Sequence, residues 1–381
     1  MKQVYFDSAA TTQMRDEVID RMTDVMRRNF GNASSTHHYG RASKALIENS
    51  RKAIASYFNV SASEIFFTSG GTEVDNLVLR SAVRDLGVTE VITSKIEHHA
   101  ILHTVDELVK EYGISVKFVA LETDGHINYH HLEQLLDPSK KQLVSLMYVN
   151  NEIGNKLDIK WVADLCKTNQ VLFHCDAVQA IGYYTLDLKD IPLDFFAASA
   201  HKFHGPKGVG FAFIRKHSGL RASIFGGDQE RGLRSGTESI HNIVGMDEAL
   251  RLSYDRLEEE RSHILSLKQY FIEALKSNFP EVSFNGSCED SEKSTYKLIN
   301  VCLPITPEKA PLLQFQLDLK GIACSKGSAC QSGSNQGSHV LSEILTPEQL
   351  AKPSVRFSFC KDNTKAEIDY VIEVLKEFIK D

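Results

Sequence analysis

The apolar positions of the chain follow two alternating patterns from about residue 15 to residue 250. Segments with apolar side chains at helical spacing, such as residues 41–58 and 74–86, are separated by short apolar runs that predict strands. These runs are EIFFTSG, EVITS, SVKFVAL, QLVSLMYV, VLFHCDA, DFFAAS and GVGFAFI. Strands that alternate with helices indicate an α/β fold with a largely parallel sheet. Ligands of such sheets bind beyond the carboxyl ends of the strands, so candidate chemistry is expected there.

The pattern changes near residue 251. Residues 251–279 predict one long, charged amphipathic helix, which would connect the first unit to a second one. The residues that follow mix the strand patterns KLINVCLP and SVRFSFC with helical ones. We therefore predict a large ligand-binding domain over residues 15–255. A smaller α+β domain would comprise residues 1–14 and 256–381.

The amino-acid composition indicates which classes of protein the chain does not resemble. Of the 381 residues, 42% are hydrophobic and 24% are charged, and the formal net charge is −7. These values are typical of globular proteins, and no basic run indicates nucleic-acid binding. No stretch approaches the ~18 apolar residues of a membrane span, and MKQVYFDSAATT lacks the apolar segment of a secretory signal, so a cytoplasmic protein is expected. The seven cysteines form no CxxC pair, which favours free thiols over disulfides or a metal site.

Lys202 lies in the motif SAHKFHGPKGVGFAFI, after the predicted strand DFFAAS and before a glycine-rich turn. Two histidines stand close to it in the sequence. Burial and neighbouring cations lower the pKa of a lysine and make its amine available as a nucleophile. The same composition also fits a basic surface loop, and the local sequence leaves both interpretations open.

Two further strand ends carry candidate ligand groups. Asp176 closes the run VLFHCDA, where its carboxylate can pair with a cationic ring nitrogen of a cofactor or cap a following helix. Gly71 and Thr72 follow the strand in FFTSGGTEVDN. Backbone N–H groups at the start of a helix suit a phosphate, and Thr72 also fits the role of a helix N-cap.

Three other polar residues stand at or within predicted strands. His98, in TSKIEHHAIL, can stack on a flat cofactor or move protons, or it can be structural. Asn151 follows a strand in MYVNNEIGNKLDI. Arg356 lies inside the apolar strand VRFSF and needs an anionic partner, which is either a substrate or a protein carboxylate.

Cys330 lies among serine, glycine and glutamine residues in GSACQSGSNQGSHVL. Cysteine is usually one of the most buried residue types, so this polar neighbourhood is unusual for it. We predict a flexible loop over about residues 324–339 that carries a functional thiol. The alternative is an incidental cysteine in such a loop.

Motifs along nearly the whole chain resemble those of the NifS-like cysteine desulfurases, which are pyridoxal 5′-phosphate (PLP) enzymes of the aminotransferase fold type I. The matching motifs are YFDSAATT, NASSTHHYGR, FTSGGTEVDN, EHHAIL, VNNEIG, HCDAVQAIG, SAHKFHGPKGVG, RSGTES with NIVGMDEA, GSAC and VRFSF. The resemblance implies a large domain with a mainly parallel seven-stranded sheet flanked by helices, and a smaller α+β domain that carries the cysteine loop.

The resemblance also implies a role for each matched residue. Lys202 would bind PLP covalently and then carry a proton, and Cys330 would be the nucleophile. The other implied contacts are Asp176 with the pyridine nitrogen, Gln179 with the phenolic oxygen, His98 with the ring face, Thr72, Ser199 and His201 with the phosphate above the Gly71 turn, Thr237 with the phosphate of a neighbouring subunit, Asn151 with the cofactor and substrate, and Arg356 with the substrate carboxylate.

The reaction implied by the resemblance converts L-cysteine to L-alanine and leaves a persulfide on Cys330. The sulfur would pass to an acceptor protein, such as an iron–sulfur scaffold or a tRNA-thiolation protein. The resemblance further implies a homodimer, no metal, no direct nucleic-acid partner and no membrane. The length of the stretch after Cys330 resembles that of the group with long, mobile catalytic loops.

Two alternatives remain at the level of the sequence. A selenocysteine or cysteine-sulfinate lyase, or an aminotransferase, can use the same fold without a cysteine nucleophile. A catalytically idle subunit or sulfur-relay scaffold is a different class of protein, and the presence of Lys202, Asp176 and His98 argues against it. Cys324, upstream of Cys330, is either a bystander or a resolving thiol.

Overall fold

The structure, a computed structural model, describes residues 2–306, 308–326 and 337–380. Cys330 and most of the predicted loop lie outside the described residues. Among the described residues, no helix combines the length and the apolar character that crossing a bilayer requires.

The helices are α1 Asp16–Arg28, α2 His38–Tyr57, α3 Gly71–Leu86, α4 His99–Tyr112, α5 Tyr129–Leu135, α6 Ile159–Thr168, α7 Ile240–Asp255, α8 Leu257–Asn278, α9 Ala310–Leu319, α10 His339–Ile344, α11 Pro347–Leu350 and α12 Lys365–Lys380. The strands are β1 Val4–Tyr5, β2 Ile65–Thr68, β3 Glu90–Thr93, β4 Ser115–Phe118, β5 Gln142–Ser145, β6 Leu172–Asp176, β7 Phe195–Ser199, β8 Gly210–Ile214, β9 Ser283–Phe284, β10 Leu298–Cys302, β11 Ile322–Ala323 and β12 Ser354–Ser358.

The large sheet has seven strands in the order β2-β8-β7-β6-β5-β3-β4. Strand β8 runs antiparallel to both of its neighbours, and the pairs from β7 to β4 are parallel. The predicted α/β fold with a mainly parallel sheet is therefore confirmed. Both faces of the sheet are covered: Phe195 packs in one apolar cluster and the adjacent Phe196 in the other. A sheet that is buried on both faces gives continuous apolar runs such as DFFAAS, rather than alternating ones.

The carboxyl ends of four strands meet along one edge of this sheet. Strand β6 ends at Asp176, and β7 ends at Ser199 and continues into a short 3-10 helix over residues 200–202. Strand β2 leads through Gly70 into α3, and β3 leads to His98 at the start of α4. The fold thus delivers the predicted ligand groups to one place.

A second unit contains the three-stranded antiparallel sheet β12-β10-β9 and the parallel pair β1-β11. Strand β1 pairs with residues far along the chain, because Val4 lies opposite Ile322. Bridges also join Asp7 to Ser358 and Ser325 to Arg356. These contacts favour counting residues 1–14 with the second unit, and the domain limits themselves stay a prediction.

The prediction of one helix over residues 251–279 was wrong. The structure has two helices, α7 and α8, which are separated at Arg256, where φ is −110° and ψ is 14°. Helix α7 packs against α1 and α2, whereas α8 packs against α12. The amphipathic pattern continues across Arg256, so the change of packing partner leaves no break in the sequence pattern.

Candidate active site

A cavity of 490 Å³ lies at the carboxyl edge of the large sheet, a size that suits a small molecule. The predicted site residues that line it are Gly71, Thr72, His98, Asn151, Asp176, Gln179, Ser199, His201, Lys202 and Arg356. Thr237 is exposed and does not line this cavity, and Cys330 lies outside the described residues. The structure thus brings most of the predicted residues together, while their individual roles stay predictions.

Lys202 is held by a segment from near the start of the sequence. Its Nζ donates hydrogen bonds to the carbonyl oxygens of Ala9 and Ala10, each at 2.7 Å. The Tyr183 hydroxyl donates to the Lys202 carbonyl at 2.9 Å. Lys202 lines the cavity and is half-buried, so the alternative of a basic surface loop is wrong.

Residues 7–15, here called the bridging segment, make contacts on several sides of the cavity. The Ala9 carbonyl also accepts a hydrogen bond from Gln179 Nε2 at 2.8 Å, and the Ala9 N–H donates to Ser358 Oγ at 2.8 Å. Further along, the Thr12 N–H donates to the His201 carbonyl at 2.9 Å. The segment therefore connects β12 with the turn that follows β7.

Asp176 ends β6 with its side chain facing the cavity and is only 7% exposed. Its Oδ1 accepts a hydrogen bond from the Val178 N–H at 2.9 Å. Burial raises the pKa of Asp176, while His98 and Lys202 act to lower it. A turn follows it rather than a helix, so Asp176 is not a helix N-cap. A buried carboxylate in this position can pair with a cationic ring nitrogen.

The start of α3 forms a cradle for an anion. Helix α3 begins at Gly71, and its N-cap residue Gly70 has φ of 150°, a conformation that favours glycine. A Cβ atom at Gly71 would lie 2.5 Å from Val178 Cγ2, so no larger residue fits there without displacement. The N-cap is Gly70 rather than Thr72, so the N-cap alternative for Thr72 is wrong. Backbone N–H groups at this end of the helix attract negative charge.

His201 lines the same cavity as this cradle. Burial, together with the charges of Lys202 and Lys207, lowers the pKa of His201 to about 4. Its ring is therefore neutral near pH 7, and its Nδ1 lies 3.1 Å from the Thr11 hydroxyl. A neutral imidazole that is fixed in this way can donate a hydrogen bond to a phosphate oxygen.

His98 combines a structural contact with a place in the cavity wall. Its Nδ1 accepts the Ala100 N–H at 3.1 Å, which caps the N-terminus of α4. One of its ring nitrogens, a carboxylate oxygen of Asp75 and one of Asp176 all lie within 4.8 Å of one another. That spacing also suits a metal ion, but His98 and Asp176 line the same cavity as Lys202 and the anion cradle, so we assign them to an organic cofactor.

Arg356 has a protein carboxylate as its anionic partner. Its Nη2 donates to Asp7 Oδ1 at 2.8 Å, and its Nη1 donates to the Asn151 carbonyl at 2.7 Å. Ser325 Oγ donates to the same Asp7 oxygen at 2.7 Å. Arg356 is 1% exposed but lines the cavity. The structure thus realises the protein-carboxylate alternative, and a substrate carboxylate as an additional partner stays a prediction.

Reasoning from sequence missed a group of buried ionisable residues next to the cavity, namely Asp75, Glu97 and His174. Asp75 itself lines the cavity. The available signal was an ionisable residue inside an apolar run, as in VDNLVL and VLFHCD. Such residues are seldom fully buried without a specific partner.

Cys324 is buried and lies close to Gln314, whose Nε2 donates to the Cys324 carbonyl at 2.6 Å. Burial raises the pKa of the Cys324 thiol to about 12. A thiol that stays protonated is a poor nucleophile. This favours the bystander interpretation of Cys324 over the resolving thiol.

The residues in the cavity fit PLP. The glycine cradle at the start of α3 suits its phosphate, the buried Asp176 suits its ring nitrogen, and the Lys202 amine suits its aldehyde. These three features differ in chemical character and face one cavity. The donor set therefore matches the cofactor group by group.

The chain matches the family Aminotransferase class-V over residues 4–371. It is 40% identical over 382 residues to "Cysteine desulfurase IscS" of Clostridium botulinum (strain Kyoto / Type A2), covering 100% of this chain and 95% of that protein. Among solved structures, a "NIFS-LIKE PROTEIN" is similar with a TM-score of 0.90 and 34% identity over 100% of both chains. The NifS-like protein from Rickettsia africae ESF-5 is similar with a TM-score of 0.87 and 30% identity over 100% of both chains.

Proposed function

The chain belongs to the aminotransferase class-V family, and from that premise we propose that the cavity converts L-cysteine to L-alanine and transfers the sulfur to Cys330. The chain is a PLP-dependent cysteine desulfurase, in line with its full-length similarity to proteins of that name. The assignment of individual residues and of the sulfur acceptor is our proposal.

One observation carries the assignment of residues. The Lys202 amine, the buried Asp176 carboxylate and the glycine cradle of α3 face the same cavity. A covalent amine site, a partner for a ring nitrogen and a phosphate site are the three contacts that PLP requires. The bridging segment fixes the amine through two carbonyl oxygens, those of Ala9 and Ala10.

PLP, when it is bound, supplies an electron sink for the charge that develops at the substrate Cα. Lys202 Nζ takes the proton from Cα and later returns a proton to the product. Asp176 stays ionised and opposes the positive charge of the ring nitrogen. His201 holds the phosphate as a neutral donor, consistent with its pKa of about 4.

The substrate carboxylate would bind on the other side of the cavity, at Arg356 and Asn151. Arg356 keeps its guanidinium in place through Asp7 and the Asn151 carbonyl. Its buried Nε has no acceptor among the described residues. A carboxylate that enters the cavity would therefore meet a guanidinium that is already oriented.

Cys330 would act as a thiolate on the sulfur of the substrate. A sulfur–sulfur bond forms on Cys330 as the carbon–sulfur bond of cysteine breaks. Cβ keeps the electron pair of that bond and takes up a proton, so the products are alanine and a cysteine persulfide. No external oxidant or reductant is consumed, because the sulfur becomes more oxidised as the carbon becomes more reduced.

The proposal includes a homodimer in which Thr237 of one protomer contacts the phosphate in the other. The exposure of Thr237 and its position outside the cavity of a single chain support this arrangement. The persulfide would then pass to a sulfur-acceptor protein in the cytoplasm, such as an iron–sulfur scaffold or a tRNA-thiolation protein. The stretch QSGSNQGS next to Cys330 would supply the reach for that delivery.

The test measures alanine and sulfide formed from L-cysteine with dithiothreitol, for the wild type and for Cys330→Ala, with the PLP absorbance recorded on both. We expect Cys330→Ala to keep its PLP absorbance and to lose at least about 100-fold in the rate of alanine formation, the lower range for loss of a catalytic group. Cys324→Ala is the matched control, since it removes a neighbouring thiol that is buried and protonated; its rate should stay within about twofold of the wild type.

Equal alanine formation by the wild type and Cys330→Ala would show that Cys330 is not the nucleophile. The enzyme would then be a lyase or an aminotransferase of the same fold. A loss of activity in Cys324→Ala with retention in Cys330→Ala would instead place the nucleophile at residue 324.

A further inference from the structure

Three buried ionisable side chains have no role in the chemistry proposed above. Asp75 and Glu97 are each 1% exposed, and His174 is fully buried. Within the described residues, neither carboxylate forms an ion pair with a lysine or an arginine, and His174 is one of the basic side chains close to Asp75. A buried carboxylate without a cation is usually neutral.

Asp75 lies next to Asp176. An oxygen of each carboxylate and a ring nitrogen of His98 fall within 4.8 Å of one another. Two carboxyl groups that share a buried site do not both ionise, because like charges at this separation repel strongly in a medium of low polarity. One carboxyl group of the pair must therefore hold a proton.

The surroundings decide which carboxyl group keeps the charge. Asp176 accepts the Val178 N–H at 2.9 Å, and the charges of His98 and Lys202 partly offset the effect of its burial. Asp75 has no such help: burial raises the pKa of Asp75 well above its usual range, and the charges of Asp176 and Glu97 raise it further. The negative charge therefore belongs on Asp176 and the proton on Asp75.

His174 does not supply a compensating charge. Burial lowers the pKa of His174 to about 3, so the ring is neutral near pH 7. Its Nδ1 lies 2.9 Å from Ser145 Oγ, and its Nε2 lies 3.5 Å from Asp75 Oδ1. Asp75 is thus bordered by an ionised carboxylate on one side and a neutral imidazole on the other.

We propose that Asp75 is a positioning residue: it carries a proton and thereby keeps the negative charge of the pair on Asp176, opposite the ring nitrogen of the bound cofactor. This proposal deepens the proposed function and rests on its assignment of Asp176 to that nitrogen. Asp75 does not touch the reacting atoms and acts only through Asp176.

The first test is infrared spectroscopy of the PLP-bound enzyme at pH 8, with and without carboxyl-13C-labelled aspartate. The carbonyl stretch of a protonated carboxylic acid lies apart from the bands of an ionised carboxylate, and labelling aspartate alone separates Asp75 from Glu97. Asp247, whose pKa is raised to about 6, is ionised at pH 8. We expect one isotope-sensitive protonated band in the wild type that disappears in Asp75→Asn and persists in the matched control Glu97→Gln.

The second test is the pH at which the cofactor absorption band changes. Asn has the shape and the neutrality of a protonated Asp, so Asp75→Asn should keep the wild-type midpoint to within about half a pH unit. If Asp75 were ionised, its negative charge would stabilise a proton on the cofactor site. Asp75→Asn would then remove that charge and lower the midpoint by more than about half a pH unit.

Three results overturn the proposal: no protonated aspartate band in the wild type at pH 8, a band that survives in Asp75→Asn, or a midpoint shift larger than about half a pH unit. The wild-type spectrum decides even where a variant fails to fold, and Asp75→Ser replaces Asp75→Asn if the latter binds no PLP. Failure of the proposed function would show separately, as equal alanine formation by the wild type and Cys330→Ala while the aspartate band is still present.

Discussion

The two sides of the cavity are built by different means. On the cofactor side, Asp176 and Lys202 come at or directly after neighbouring strands β6 and β7, so the order of strands and turns places them. On the substrate side, Arg356 is oriented by Asp7, which lies 349 positions away in the sequence. One sheet places the residues of the cofactor side in the fold, whereas the orientation of Arg356 requires segments that are far apart in the sequence to meet.

Substitutions on the two sides of the cavity are also expected to affect turnover and stability differently. Lys202 is half-buried and is held by two hydrogen bonds to backbone carbonyl oxygens. The guanidinium of Arg356 is buried and paired with a carboxylate. Removing either Arg356 or Asp7 leaves the other charge of this ion pair without its partner. We therefore expect changes on the cofactor side to abolish turnover, and changes on the substrate side to reduce stability as well.

The largest effect is expected from Lys202→Ala. The rate of alanine formation should fall about 10³-fold or more, because the proton carrier at Cα is lost. The free energy of unfolding should fall by about 1–3 kcal/mol, the net contribution of two hydrogen bonds at about 0.5–1.5 kcal/mol each. The alanine assay measures the rate, and urea unfolding measures the free energy of unfolding. If the rate of alanine formation fell only slightly, and the loss of folded protein explained that fall, the contrast between the two sides of the cavity would be contradicted.

The next effect concerns Arg356 and Asp7. Removing one partner of a buried ion pair costs about 3 kcal/mol, so Arg356→Gln and Asp7→Ala should both lower the free energy of unfolding by about that amount. Only Arg356→Gln should also raise KM for cysteine about tenfold, since a hydrogen bond to a charged group contributes about 1.5–3 kcal/mol.

Steady-state kinetics on both variants tests this distinction. Because Asp7 orients the guanidinium but is assigned no contact with the substrate, Asp7→Ala should change KM by less than about threefold. An equal rise of KM in the two variants would contradict the assignment of the substrate contact to Arg356 alone.

The smallest effect concerns the joint between the two sides. The His204 backbone N–H donates to Thr12 Oγ1 at 2.7 Å, and His204 Nδ1 lies 2.8 Å from the Gln13 carbonyl oxygen, so this residue fixes the bridging segment. Burial lowers the pKa of His204 to about 4. As the pH falls below about 6.5, the unfolded chain takes up a proton that the folded one does not, and stability is lost until the pH reaches the folded pKa.

We therefore expect His204→Asn to remove about 1.4 kcal/mol per pH unit from the pH dependence of the unfolding free energy between about pH 6 and pH 4. Asn tolerates the positive φ of 64° at this position. The exposed His217, with φ of 63°, provides the matched control as His217→Asn, whose pH dependence should equal that of the wild type. The measurement is urea unfolding at several pH values. If the free energy of unfolding changed with pH equally in His204→Asn and in the wild type, the prediction would be contradicted.

The same contrast explains what the sequence could predict. The strand runs, the glycine turn at Gly71 and the acid that ends VLFHCDA are local features, so the parallel sheet and the cofactor side of the cavity were predictable. The pairing of Arg356 with Asp7 was not, because nothing in VRFSF or YFDSAATT specifies which anion an arginine will find. The break at Arg256 was missed for a related reason, since it depends on which helices pack against α7 and α8.

Asp75 illustrates a further limit. Its place within an apolar helical run marks it as unusual, but its significance depends on the distance between its carboxylate and that of Asp176, which ends strand β6. Proximity between two acids turns one of them into a neutral group. No property of either residue taken alone indicates that outcome.

The bridging segment also has a consequence for how the enzyme is made. Asp7 is synthesised before its partner Arg356, which follows 349 positions later. At roughly 5–20 residues per second, that interval lasts on the order of tens of seconds. During that time a growing chain can already hold β6 and β7 in one sheet, yet the substrate side stays open until β12 leaves the ribosome. The pairing of Arg356 with Asp7, and with it the substrate side of the cavity, is therefore completed only after β12 has been synthesised.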